Sequence, residues 1–177
     1  MSKGFNIPEE GHFAQLIAVG DDMDGGATLY PVINMANWYH VDFFVCLANT
    51  PRAAGVITVE SCSNWVTLAG SPTTATAIAF DYYTQGTVAA PTIQTTSGND
   101  IMSARTKVTV PATGLIPVAG VQNIVYVISL NSSQVVSGHI GFRLNIASAA
   151  ASCTSFVFAI CSGGRFTGAV QESVTKA

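Results

Sequence analysis

The chain has 177 residues, of which 10% are charged and 49% hydrophobic, and its formal net charge is −3. That length is one ordinary domain, able to bury about 70% of the surface its unfolded chain would expose, so no metal or disulfide staple is required. A charge content this far below the usual ~25% excludes a disordered chain and a coiled coil, and few, scattered Lys and Arg argue against nucleic acid as a partner.

Residues 1–11 show no strand pattern and read as an N-terminal arm. The opening MSKGFNIPEEGHF has a single Lys and no apolar run ending in a small-residue cleavage site, so it does not read as a secretory signal. The expectation is a chain that stays where it is made. A first strand is expected over 12–19. It runs into Asp21, Asp22 and Asp24 before Gly25-Gly26. A calcium loop of the EF-hand kind would need a bidentate Glu after the glycine and helical flanks, and neither is present. The segment reads as a solvated turn, with an irregular calcium-binding loop left open.

Alternation with period 2 then dominates the chain. Strands are expected over 27–33, 38–48, 55–62, 75–83, 105–110, 123–130, 138–147 and 154–162. In the second of these, Val41, Phe43, Val45 and Leu47 alternate with Asp42, Phe44 and Cys46. Ile57 and Val59 alternate with Thr58 and Glu60; Ile78, Phe80 and Tyr82 alternate with Ala79, Asp81 and Tyr83. Ile140, Phe142, Leu144 and Ile146 alternate with Gly141, Arg143, Asn145 and Ala147, which places Phe142 inside and Arg143 outside. Phe158 is assigned to the core phase of its strand in the same way. Residues 85–104 alternate weakly and read as a long projecting loop.

The longest apolar stretch, Leu115 to Leu130, is broken by Pro117, Gly120, Gln122 and Asn123. It falls short of the roughly 20 residues of a spanning helix, so no membrane is expected as a partner. Two segments, Ile124–Leu130 and Ser155–Ile160, are apolar on both faces. They are expected to be central strands, or strands whose outer face meets another subunit. Together these elements predict an all-β fold: an antiparallel two-sheet β-sandwich, jelly-roll-like, over residues 12–163. Extended arms at 1–11 and 164–177 flank it.

Chemical motifs are scarce. There is no Walker or dinucleotide loop, no GxSxG elbow and no HExxH. Cys161 and Arg165 enclose Ser162-Gly163-Gly164, too short a loop to wrap a phosphate, and this reads as a strand end. Cys46, Cys62, Cys153 and Cys161 form no CxxC pair, so free thiols are expected and local zinc knuckles are not. His12, His40 and His139 fall in three separate expected strands. Asn131-Ser132-Ser133 is a formal glycosylation acceptor without meaning in a chain that is not exported. Catalytic, cofactor-binding and metal-binding residues are therefore assigned to none, and the protein is not expected to be an enzyme. A hydrolase would need paired carboxylates or a nucleophile with a base, and Glu60 and Asp81 are the only acidic residues between Asp42 and Asp100. Trp38, Trp65, Tyr82 and Tyr83 are the candidates for sugar stacking in an alternative carbohydrate-binding module or adhesin.

The succession VITVESCSN (Val56–Asn64), AIAFDYYT (Ala77–Thr84), IVYVISL (Ile124–Leu130), SGHIGFRLNI (Ser137–Ile146) and FAICSGGRF (Phe158–Phe166) resembles small virion structural proteins of tailed bacteriophages. The resemblance covers about residues 37–166 and leaves the first 36 outside. It implies a β-sandwich that decorates or cements the head by bridging major capsid protein subunits, or else a neck or tail component. It carries no catalytic fingerprint and no functional residue. The implied partners are the major capsid protein and further copies of the chain as a homotrimer. The implied location is the capsid surface of a virion, after synthesis in the host cytoplasm.

Overall fold

β-Branched and aromatic residues at alternate positions favour a pleated backbone with one buried face, and that pattern is realised almost throughout the chain. In the computed structural model, the residues described are 11–22, 30–49, 55–65, 72–85, 102–118, 122–147 and 153–164. They form β1 (Gly11–Asp22), β2 (Ile33–Asn34), β3 (Trp38–Asn49), β4 (Ile57–Cys62) and β5 (Ala75–Ile78). There follow β6 (Phe80–Gln85), β7 (Thr106–Val108), β8 (Gln122–Asn131), β9 (Gly141–Ile146) and β10 (Thr154–Gly164). Two short 3-10 turns lie at Pro111–Thr113 and Ser132–Gln134.

The strands build two antiparallel sheets: six strands in the order β1-β10-β3-β8-β6-β7 and four in the order β2-β9-β4-β5. One core lies between them. The six-stranded sheet contributes Val41, Phe43, Val45 and Leu47 from β3, Ile124, Tyr126, Ile128 and Leu130 from β8, and Val157, Ala159 and Cys161 from β10. The four-stranded sheet answers with Ile33, Ile57, Val59, Phe142, Leu144 and Ile146. The expected all-β antiparallel two-sheet sandwich is therefore the observed architecture.

Several expected elements take a different form. The strand expected over 75–83 is two strands. β5 pairs with β4 in the smaller sheet and β6 pairs with β8 in the larger, with Ala79 alone between them. Both halves keep the same alternation, so the change of sheet leaves no mark in the pattern. Of the strand expected over 27–33, Tyr30 to Val32 are buried without strand pairing, and β2 is only Ile33–Asn34. It stops because Asn34 Oδ1 accepts from Ala36 N at 2.8 Å, a side-chain turn that competes with the ladder. β9 starts at Gly141 rather than 138, after a turn in which Gly138 has φ 82°. His139 therefore lies in a loop.

The core assignment of Phe158 is also corrected. Val157, Ala159 and Cys161 point inward and are fully buried, while Phe156, Phe158 and Ile160 point outward. Both phases of β10 are apolar, so composition alone could not choose between them. Phe142 does lie in the core. Arg143, expected outside and lightly packed, is buried as well. The projecting loop expected over 85–104 and the two arms fall mostly outside the described residues, as do Asp24 and Arg165.

Gly141 permits the tightest approach in the smaller sheet. A Cβ there would sit 1.9 Å from Ile33 O, so only glycine lets β2 pair with β9. Phe142→Ala removes a fully buried ring and is expected to cost about 3–5 kcal/mol in urea denaturation. Phe158→Ala, on a half-buried outward ring, is expected to cost clearly less. Equal losses would contradict the register of β10.

Candidate interaction surface

The outer face of the six-stranded sheet follows directly from this register. Its central row runs Gln15, Phe158, Phe44, Val127 and Tyr83 across β1, β10, β3, β8 and β6. The next row holds Phe156, Cys46, Val125 and Gln85. Phe44 and Phe158 stack with ring centroids 4.7 Å apart and planes 3° from parallel. Phe13 and Phe156 each pack on Phe158 at 5.0 Å. Four phenylalanines thus form one continuous cluster on the side of the sheet away from the core, and Phe13, on the edge strand, is 50% exposed. Face-to-face stacking of this kind holds the rings against one another but leaves their outer surface in water.

One row further, beyond Phe13 and Ile160 on β1 and β10, the face becomes polar: Asp42, Ser129, Asp81 and Lys107 succeed one another across β3, β8, β6 and β7. Asp42 Oδ1 accepts from Ser129 Oγ and lies 3.0 Å from His40 Nε2. His40 Nδ1 lies 3.0 Å from Asn131 Oδ1. The hydrogen bond to Asp42 raises the His40 pKa above its ordinary 6.5, against the opposing effect of burial. Arg105 pairs loosely with Asp81 at 3.6 Å, and such exposed pairs contribute little.

Two arrangements here look like parts of hydrolytic sites, and the geometry separates them from one. In the Ser129–Asp42–His40 chain the carboxylate stands between the hydroxyl and the imidazole, so the order is not that of a serine–histidine–aspartate triad. Ser61 Oγ does meet a histidine, His139 Nδ1, at 3.1 Å, and Thr74 Oγ1 lies 3.3 Å from the other ring nitrogen. But Ser61 is fully buried and its Oγ also accepts from Val136 N at 3.1 Å. This network closes the loop before β9 onto β4. Among the described residues, no three His, Cys, Asp or Glu side chains gather closely enough to hold a metal ion. The three histidines are apart: His12 lies against Trp38, His40 beside Asp42, and His139 beside Ser61.

The thiols of Cys62 and Cys161 are also withdrawn, while Cys46 is partly exposed. Cys46, Cys62 and Cys161 are free. Burial pushes the Cys62 thiol up to about 11 and the Cys161 thiol up to about 12, so neither supplies a thiolate near neutral pH. Trp38 is buried and Tyr82 packs against Tyr126 at 6.3 Å, which removes two of the four aromatics considered for sugar stacking. Trp65 and Tyr83 are half-buried.

The outer face of the smaller sheet has a different character. Arg143 Nε donates to Glu60 Oε2 at 2.7 Å and Asn145 Nδ2 donates to Glu60 Oε1 at 2.8 Å. Arg143 and Glu60 are opposite each other on β9 and β4, and their side chains are only 8% and 14% exposed. Val32 and Cys62 form a small buried cluster outside the main core. The aromatic cluster and this ion pair were the features that alternation could not reveal. The signal for the first was the doubly apolar pattern of β10; the second had none beyond opposite charges in two distant segments.

No protein-family model, curated protein or solved structure matches this chain.

Arg143→Ala leaves the Glu60 carboxylate poorly solvated without its cation and is expected to destabilise the protein by about 3–5 kcal/mol in denaturant titration. In the native protein at mildly alkaline pH, a thiol reagent is expected to modify Cys46 before Cys62 and Cys161, whose labelling awaits unfolding. Fast native labelling of Cys161, read by intact mass, would contradict its placement in the core.

Proposed function

We propose that this chain is a non-enzymatic virion structural protein, a capsid decoration or cement protein that bridges major capsid subunits and associates with copies of itself as a trimer. The observation that carries the reading is the stacked phenylalanine cluster on the outer face of the six-stranded sheet. A sandwich spends one face of each sheet on its core, so large apolar side chains on the other face are stable in water only at a cost. Seating that face against another protein subunit recovers the burial, at about 25 cal/mol for each Å² of apolar surface removed from water.

The strand order supports the same class. Leaving out β6 and β7, the sheets read β1-β10-β3-β8 and β2-β9-β4-β5, which is the order of a jelly roll, an architecture common in viral capsid and lectin domains. In this reading β6 and β7 widen one sheet and with it the docking face. Fold alone does not carry function, and the same architecture serves sugar-binding proteins. The burial of Trp38 and the packing of Tyr82 favour the structural reading over the sugar-binding one.

The test is incubation with purified empty heads, together with sedimentation of the free protein. The wild type is expected to sediment as a trimer and to co-sediment with heads. Phe13→Glu, at an exposed edge position, is expected to weaken both by at least about tenfold while leaving the thermal melt nearly unchanged. A monomeric wild type that ignores heads and binds on a glycan array would replace this reading with the sugar-binding one.

A further inference from the structure

His40 stands near the start of β3, opposite Asn131 at the end of β8 and Ser162 on β10. Its two ring nitrogens each meet an oxygen at 3.0 Å: Nε2 meets Asp42 Oδ1, and Nδ1 meets Asn131 Oδ1. An ionised carboxylate only accepts hydrogen bonds. The Asn131 side chain is engaged as an acceptor too. It faces the backbone N–H of Gln134 in a reciprocal capping box, whose other half is Gln134 Oε1 accepting from Asn131 N at 2.8 Å. A neutral imidazole carries one N–H and can serve one of these two oxygens; an imidazolium carries two and serves both.

We propose that His40 is held as an imidazolium in the folded protein and acts as a pH-operated clamp, tying β3 to the end of β8 and to the Ser132–Gln134 turn. Loss of the proton leaves one of the two oxygens facing a ring nitrogen that repels it. Either the Asp42 contact or the Asn131 contact then opens, and the turn capped by Asn131 loosens with the second. Because this clamp lies at the polar margin of the aromatic face, its state sets the local order of that margin. Nothing in this depends on what docks there.

Among the described residues, the charges around the ring are few. On its own strand the ring faces Asp42. From β8 it faces Asn131, with Ser129 beyond, and from β10 Ser162, none of which ionises near neutrality. Gln134 is neutral. Among the described residues, the next carboxylate on this face is Asp81 on β6, two strands from Asp42 and opposed by Arg105 and by Lys107 on β7. Cys161, whose thiol feels Asp42, stays protonated. With the folded pKa above 6.5, the contribution to stability is full below 6.5 and disappears as pH rises through the folded value.

The deciding measurement is the imidazole nitrogen spectrum of the full chain as a function of pH, with His40 assigned by comparison with His40→Gln. The expected result is a midpoint above 6.5, with both nitrogens protonated in the interval between 6.5 and that midpoint, and faster amide exchange at residues 131–135 beyond it. Asp42→Asn is expected to lower the midpoint. In thermal melts the wild type is expected to lose stability across this interval, and His40→Gln to show no such loss. A midpoint at or below 6.5, or an unprotonated Nδ1 accepting a hydrogen bond in the interval between 6.5 and the midpoint, would overturn the proposal. The wild-type titration decides this even if a variant fails to fold.

Discussion

The registry of three strands, β10, β3 and β8, is the constraint on which the rest of the structure depends. Their inward rungs, Cys161–Val41–Leu130, Ala159–Phe43–Ile128 and Val157–Val45–Tyr126, fill the middle of the core and are almost wholly buried. In most sandwiches a polar outer phase pins the register, because a slip of one residue drives polar groups inward. Here β8 and β10 are apolar on both phases and give little such protection. The polar positions of β3 supply it. A one-residue slip of β3 would turn Asp42 into the core, away from Ser129 and His40, and burying an unpaired carboxylate costs several kcal/mol. Exchanging one apolar row for another costs far less. The few polar groups on this face therefore do more to specify the fold than their number suggests.

The two outer faces divide the molecule's chemistry. On the smaller sheet the Glu60–Arg143–Asn145 cluster is mostly withdrawn from water, where hydrogen bonds to a charged group are strong and removal of one partner is expensive. On the larger sheet the rings of Phe13, Phe44, Phe156 and Phe158 leave apolar surface in reach of solvent. The first arrangement stabilises the fold from within; the second is the surface most able to gain by association. The Ser61 hydroxyl beside His139 is buried, and the thiols of Cys62 and Cys161 are held in their protonated form.

A segment that crosses between the sheets reinforces this division. Leu115 exchanges backbone hydrogen bonds with Ile57, N to O at 2.7 Å and O to N at 2.8 Å, and so continues β5 along the edge of β4. Tyr126 Oη accepts from Val118 N at 3.0 Å and anchors the far end of the segment. Gly114, with φ 56°, makes the bend: a Cβ there would lie 2.5 Å from Ile57 O. Val110, Ile116 and Val118 stay exposed on this strap.

Period-2 alternation by itself determined the class of fold, the positions of β1, β3, β4, β7, β8 and β10 to within a few residues, and the core role of Phe142. It did so because a strand with one buried face must place apolar residues at every second position. Three things were decided only in the tertiary structure. The alternation runs unbroken through Ala79, so the passage of the chain from β5 in one sheet to β6 in the other depends on which partners each half finds. The orientation of Phe158 was open because β10 is apolar on both phases, and the small side chains of Val157, Ala159 and Cys161, rather than the large rings, took the inside. The burial of Arg143 depended on Glu60, 83 residues away in sequence, arriving opposite it on β4. Local pattern reports how a strand divides its two faces; what each face meets is fixed by non-local pairing, which no local pattern encodes.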